Sequence, residues 1–265
     1  MDNVLKKWSL NTVCREAACP NISDCYNQRT ATFLILGDVC TRSCAFCAVK
    51  KGIPRPLDPQ EPERVAQAVK ELGLHHVVIT SVTRDDLPDG GAGCFARTID
   101  EIRKNIPDTI VEVLIPDLKG SQKALAFICD ASPHIVGHNV ETVSRLYPQV
   151  RNMADYRQSL TILRRIKEFC STTTKSGLMV GLGEEKEEIL TTMDDLRAVG
   201  CDILTIGQYL APMKNCFSIK RYYHPQEFEV LTREGKERGF KWIEAGPLVR
   251  SSFHANDQWK KACGL

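Results

Sequence analysis

Apolar residues fall into two patterns that alternate along the chain. Short runs rich in β-branched residues, at 33–36, 76–80, 110–115, 134–138, 178–181, 203–207 and 240–245, read as strands. Several are apolar almost throughout, as parallel strands buried on both faces are. Between them run stripes with helical period. Pro62 stands at a helix start, with Val65, Val69 and Leu72 on one face. Asp155 is placed to cap a helix carrying Leu160, Leu163 and Ile166. A third stripe, Ile189, Met193, Leu196 and Val199, ends at Gly200, where a C-terminal cap glycine is expected. About six such βα units predict an α/β fold, either a barrel, partial or complete, or a doubly wound sheet. In each of these architectures ligands gather at the carboxyl ends of the strands, so the residues just after each strand are the first candidates for function.

The 265 residues suffice for a full core without staples. Lys and Arg number 35 against 33 Asp and Glu, a net charge of +2, which disfavours a nucleic-acid binder. No run of 18 apolar residues is present, and the start MDNVLKKWSL has no signal-peptide core, so no membrane span or leader is expected and a cytoplasmic location is.

Cysteine changes this ordinary picture. Twelve thiols in a chain of this kind point to metal or redox chemistry rather than to a disulfide framework. Six of them, Cys14, Cys19, Cys25, Cys40, Cys44 and Cys47, fall in the first 47 residues. The other six are scattered singly and read as core or surface residues. Cys40, Cys44 and Cys47 follow the strand FLILG at spacing Cys-x3-Cys-x2-Cys. A loop this short lets three thiolates face one iron–sulfur cluster and leaves one iron open to a substrate. Structural zinc, which favours two separated ligand pairs, is the poorer fit. Cys14, Cys19 and Cys25 lie in a loop-like head with Pro20, Asn21, Ser23 and Asp24. Bound metal would order such a segment, and a second cluster is preferred there to unligated thiols.

The stretch CTRSCAFC resembles the cluster motif of the radical S-adenosylmethionine enzymes, with aromatic Phe46 before the last cysteine. The head CREAACPNISDCYN is similar to the auxiliary-cluster motif of one family among them, the lipoyl synthases. TSVTRDDLPDGGAG, EVLIPDLKG, HNVETVSRLYP, ADYRQSL, TKSGLMVGLGE, DILTIGQYLAP and AGPLVRSSFHA also look like that family, from about Asn11 to about Ala255. The resemblance implies a partial (β/α)6 TIM-type barrel over 33–245, with the auxiliary-cluster extension at 1–32 and a C-terminal segment at 246–265, all in one domain. It implies two 4Fe–4S clusters and S-adenosylmethionine as cofactors. Cys40, Cys44 and Cys47 would hold the first cluster, with Phe46 near the adenine. Cys14, Cys19 and Cys25 would hold the second, completed by a serine of the motif written here Arg250, Ser251, Ser252 and Phe253; Ser252 is assigned. Phe253 replaces the family's tyrosine, which removes a hydroxyl but no ligand.

The activity so implied is a sulfurtransferase reaction, insertion of two sulfur atoms at C6 and C8 of an octanoyl chain carried on a lysine. Aliphatic C–H groups have no useful acidity, so a side-chain base cannot do this and a cofactor-derived radical must. The auxiliary cluster would be the sulfur donor and be consumed. Implied partners are octanoylated lipoyl carrier domains, of glycine cleavage H protein or 2-oxoacid dehydrogenase E2 type. A reductant such as ferredoxin or flavodoxin and a cluster-repair carrier protein complete the set.

Several further residues follow strands. Thr80, Ser81 and Thr83 could reach the methionyl end of the cofactor, Asn139 and Glu141 its ribose or amino group, and Arg157 its carboxylate. The glycines of 89–93 read as a tight turn, and Gly181–Gly183 as a close backbone approach to cofactor. His75 and His76 read as surface or packing residues. Cys94 stands where the family has histidine, so no role is given to it. The competing readings are a radical enzyme with another substrate, and an electron carrier or zinc-stabilised binding module.

Overall fold

The structure, a computed structural model, describes residues 1–16 and 19–264. Two compact units divide the chain: Met1–Arg42 with Val49–Val136, and Ser43–Ala48 with the chain from Gly137 onward.

The first unit begins with α1 (Asp2–Lys7), β1 (Asn11–Thr12), α2 (Val13–Glu16) and α3 (Ile22–Asn27). Its sheet is built on β2 (Thr30–Ile35), with a small ribbon of β3 (Val39–Cys40) against β4 (Lys50–Lys51). After α4 (Glu61–Leu72), β5 (His76–Ser81) lies parallel to β2, in register from Thr30 opposite His76 to Ile35 opposite Ser81. After α5 (Ala92–Asn105), β6 (Ile110–Leu114) lies parallel to β5. β1 pairs antiparallel on the free side of β2. The α6 helix (Gln122–Asp130) then leads to β7 (Ile135–Gly137), where the chain passes between units. The strands carry buried Phe33, Ile35, Val78, Ile79 and Val113, and the helices bury Val65, Val69, Phe95, Ile99, Leu125 and Ile128. The Pro62 start and its stripe are found, and α4 stops at Gly73 in the left-handed region.

In the second unit α7 (Tyr147–Val150) and α8 (Tyr156–Phe169) precede β8 (Thr173–Val180). Then come α9 (Lys186–Ala198), β9 (Ile203–Gln208), α10 (Pro225–Glu237), β10 (Trp242–Gly246) and α11 (Ala255–Cys263). β9 pairs in parallel with β8 on one side and with β10 on the other. The Asp155 side chain caps α8 by accepting the Gln158 N–H at 2.7 Å. Gly200, at φ 80°, follows α9.

Most strand limits differ from the pattern of apolar residues by one or two positions, and β2 and β8 begin three and five residues earlier than it suggests. β8 starts at Thr173 rather than 178 because its first residues, though polar, are internally satisfied: Asp202 accepts the N–H of Thr174 at 2.9 Å and its hydroxyl at 3.2 Å. β2 ends at Ile35 because Leu36 turns to φ 69°. His76 is fully buried with its Nε2 3.1 Å from Glu112, a packing residue as read. Among the described residues, no helix is long and apolar enough to cross a membrane.

Candidate active site

Cys40 closes the β3–β4 ribbon opposite Lys51, which fixes the base of the cysteine loop. Its sulfur receives two backbone N–H groups, from Arg42 at 3.4 Å and from Thr83 at 3.3 Å. Thr83 is itself held: its carbonyl accepts the Thr41 N–H at 3.0 Å and the Thr41 hydroxyl at 2.9 Å. The same hydroxyl accepts the Asp85 N–H at 3.1 Å. Arg42 lies buried between two carboxylates. Its guanidinium donates to both oxygens of Asp85 at 2.7 and 2.9 Å and to both oxygens of Asp117 at 2.8 Å. Burial opposes the charge, but the two carboxylates outweigh it and hold the guanidinium firmly protonated. Asp85 and Asp117 follow β5 and β6, so parallel pairing brings them to one edge. Sequence reasoning missed this group. No local signal marks it, because its acidic partners lie 43 and 75 positions along the chain.

Thr80 donates to the Leu114 carbonyl at 2.8 Å, and the Ser81 hydroxyl is buried without a partner. The Thr80 hydroxyl thus has its donor engaged and can still accept, whereas the Ser81 hydroxyl is free to do both. Behind them Glu61 accepts the Leu36 N–H at 2.8 Å, and burial pushes its carboxyl up. The Cys94 sulfur lies 3.9 Å from that carboxyl, and burial pushes its thiol up to about 12. The 89–93 turn is as read: the Asp89 carboxylate accepts the N–H groups of Gly91 and Gly93, both at 2.9 Å. A Cβ on Gly91 would strike the Leu36 side chain.

The other three clustered cysteines, Cys14, Cys19 and Cys25, lie in the first unit. Cys14 is in α2 and Cys25 in α3, and the Cys19 N–H reaches the Cys14 carbonyl at 3.0 Å. Burial, with the neighbouring Cys19, raises the Cys14 thiol. Ala17 and Ala18, between these cysteines, lie outside the described residues.

In the second unit the loop bearing Cys44, Phe46 and Cys47 is stitched by its backbone. Ala45 donates to the Val150 carbonyl at 2.9 Å and accepts from the Phe217 N–H at 2.8 Å, and Cys47 N–H meets the Cys44 carbonyl at 3.3 Å. Phe46 is half-buried. After Gly137, Asn139 donates from one amide nitrogen to Glu141 at 3.1 Å and to the Ser251 hydroxyl at 2.8 Å. Glu141 adopts φ 65°, and burial pushes its carboxyl up. Arg151 opposes burial through the nearby Tyr147, Glu141 and Cys44, which raise it, and donates to the Asn139 carbonyl at 3.0 Å. Arg151 was not foreseen, because it stands in a polar turn with no periodicity. Arg157 is exposed on the first turn of α8.

The Arg250–Phe253 segment is anchored twice. Besides Ser251, the Val249 carbonyl and the Arg250 guanidinium crowd the place where a Cβ on Gly207 would stand, so only glycine in β9 admits them. Arg250 also donates to the Val249 carbonyl at 2.6 Å. Ser252 is half-buried on this segment, and Phe253 stacks on His254 at 3.8 Å. The Gly181–Gly183 turn differs from expectation. The N–H groups of Gly181 and Leu182 are taken by the Glu184 carboxylate at 2.6 and 2.9 Å, and a Cβ on Gly181 would meet Gln208 and the Arg221 carbonyl. The backbone approach is thus made by the chain itself.

All twelve cysteines are outside disulfides. Among the described residues, no three Cys, His, Asp or Glu side chains are gathered closely enough to hold a metal ion. The donor chemistry nevertheless fits iron–sulfur clusters. Each triplet is half-buried and so reachable, and the two N–H groups aimed at Cys40 suit a thiolate sulfur better than a thiol.

Residues 34–196 match the model of the Radical SAM superfamily. A lipoyl synthase of Rubrobacter xylanophilus is 59% identical over 255 residues, spanning 96% of this chain and 79% of that protein. Another, from Caldanaerobacter subterraneus subsp. tengcongensis, is 53% identical over 97% of this chain and 90% of its own. Among solved structures, a methylornithine synthase superposes with a TM-score of 0.60 at 13% identity, covering 92% of this chain and 82% of its own. That likeness agrees with an α/β fold of partial TIM-barrel type. With a superfamily match over more than half its length and close relatives over nearly all of it, the chain belongs to the lipoyl synthase family of the radical SAM superfamily.

Proposed function

We propose that this chain is a sulfurtransferase that inserts two sulfur atoms into a protein-bound octanoyl group, giving a lipoyl group. The likeness to lipoyl synthases over nearly the whole chain carries this reading. Residues 33–245 form the radical-generating barrel, 1–32 the auxiliary-cluster extension and 246–265 the segment with the serine ligand. Cys40, Cys44 and Cys47 hold one 4Fe–4S cluster, and Cys14, Cys19, Cys25 and Ser252 hold the other. When bound, these clusters and S-adenosylmethionine supply a 5′-deoxyadenosyl radical able to take hydrogen from C6 and C8, and the sulfur that replaces it.

The chain's own residues bind and orient. Phe46, half-buried in the cysteine loop, offers a face for the adenine. Ser81 and Thr80 stand where β5 ends, for the methionyl end. Asn139 and Glu141 meet the ribose or amino group. Arg157 is retained as a carboxylate partner, reached from an exposed position. Asn139 also holds Ser251, which leaves the adjacent Ser252 as the better ligand. Substrates are octanoylated carrier domains of H-protein or E2 type, with ferredoxin or flavodoxin as reductant and a repair protein to restore the consumed cluster. The site of action is the cytoplasm.

The test is iron and sulfide analysis after anaerobic reconstitution. Wild type should hold about eight irons per chain, and Cys→Ala triple variants of either triplet about four. About four irons in wild type, with either triplet dispensable, would defeat the two-cluster assignment.

A further inference from the structure

We infer that the Arg42–Asp85–Asp117 clamp is a positioning device that sets the reduction potential of the cluster held at Cys40, by keeping two backbone N–H groups on that cysteine's sulfur. The inference rests on the proposed role of Cys40, Cys44 and Cys47 as cluster ligands and adds residues that neither bind the cluster nor touch substrate.

The geometry is continuous within one unit. Arg42 supplies one N–H to the Cys40 sulfur from its backbone, and its side chain is locked by four hydrogen bonds to two carboxylates. Asp117 is 1% exposed and Arg42 8%, so this fork is shielded from water and its geometry is stiff. Thr83 supplies the second N–H. It is placed by Thr41, whose hydroxyl spans the Thr83 carbonyl and the Asp85 N–H. Asp85 is thus shared between the guanidinium and the turn that carries Thr83. Lys119 closes the arrangement by donating to the Asp85 carbonyl at 2.7 Å. Each N–H aimed at a ligand sulfur stabilises the more negative, reduced cluster and raises its potential. A higher potential makes the cluster easier to reduce and a weaker reductant of the cofactor, so the two N–H groups set the balance between the two steps.

Two substitutions loosen the device without changing charge. Arg42→Lys keeps the cation but cannot bind both carboxylates through a planar fork. Thr41→Val keeps shape and removes the hydroxyl. The full-length protein is reconstituted anaerobically and titrated with dithionite, following by electron paramagnetic resonance the reduced-cluster signal that changes when S-adenosylmethionine is added. That response selects the cluster with an open iron. At a fixed poise the ratio of reduced to oxidised cluster should fall about tenfold in each variant, equivalent to a midpoint about 59 mV more negative. Unfolding of the cluster-free proteins is measured alongside. Variants with lower stability but an unchanged midpoint would show a merely structural clamp and overturn the inference while leaving the cluster reading intact. A wild-type signal indifferent to S-adenosylmethionine would overturn that reading and the inference with it.

Discussion

Replacing Ser251 and Ser252 separately distinguishes a held serine from a ligating one. In Ser251→Ala the protein loses the 2.8 Å hydrogen bond from Asn139, while that amide keeps its 3.1 Å bond to Glu141. One neutral hydrogen bond between half-buried groups contributes about 1 kcal/mol. The second anchor, Val249 against Gly207, is untouched. The C-terminal segment should therefore stay docked, with a urea midpoint lowered by about 1 kcal/mol over the unfolding slope and iron unchanged at about eight per chain. In Ser252→Ala the unfolding of the cluster-free protein should barely move, because no anchoring bond is removed, whereas iron retention should fall toward about four per chain after gel filtration. The assay is iron and sulfide analysis beside urea denaturation of the cluster-free chains. Loss of iron in Ser251→Ala with full retention in Ser252→Ala would refute the reasoning and reverse the assignment.

Gly207→Ala should drive a methyl into the Val249 carbonyl and displace the Arg250–Phe253 segment; iron analysis should then resemble that of Ser252→Ala, and a normal iron content would contradict the second anchor. Glu184→Ala should destabilise the protein by about 3–5 kcal/mol in denaturant titrations, because two buried N–H groups and the Tyr223 hydroxyl, now 2.8 Å away, lose their acceptor; a cost below about 1 kcal/mol would show that the turn relaxes. Glu61 has a carboxyl raised by burial above 4.5, so the native state holds its proton more tightly than the unfolded chain. Its contribution is therefore fully present below 4.5 and declines as pH rises through the higher native value, by up to about 1.4 kcal/mol per pH unit. Glu61→Gln should remove that slope from stability measured across the window opening at pH 4.5, and parallel curves for the two proteins would contradict it.

Alternating strands and helices were legible because burial leaves periodic apolar positions: the stripe of Val65 and Val69, the cap at Asp155 and the stop at Gly200 all occupy the places their chemistry requires. Strand limits were less legible where polar side chains are buried with partners distant in sequence, as Thr174 is with Asp202, 28 positions away. Both cysteine triplets could be found from spacing, since ligand loops are local. The Arg42 clamp could not, because Asp85 and Asp117 lie 43 and 75 positions from their partner and meet it only through parallel strand pairing. Arg151 was hidden because it stands in a polar turn with no periodicity, and its partners Asn139 and Ser159 are set by the fold and not by any motif. The Gly181–Gly183 turn shows the reverse hazard, a loop whose glycines suggested a ligand and serve the chain's own Gln208 and Arg221.

Sulfur insertion into a carried octanoyl chain is what separates this protein from a radical enzyme with another substrate. Its most direct test is the mass of an octanoyl-lysine carrier peptide after anaerobic incubation with the reconstituted protein, S-adenosylmethionine and a reductant. The expected peptide gains two sulfurs, as a dithiol while reductant is present and with two hydrogens fewer once oxidised to the dithiolane, in no more than about one equivalent per chain because the auxiliary cluster is consumed. Deoxyadenosine formed beside a peptide of unchanged mass would contradict it.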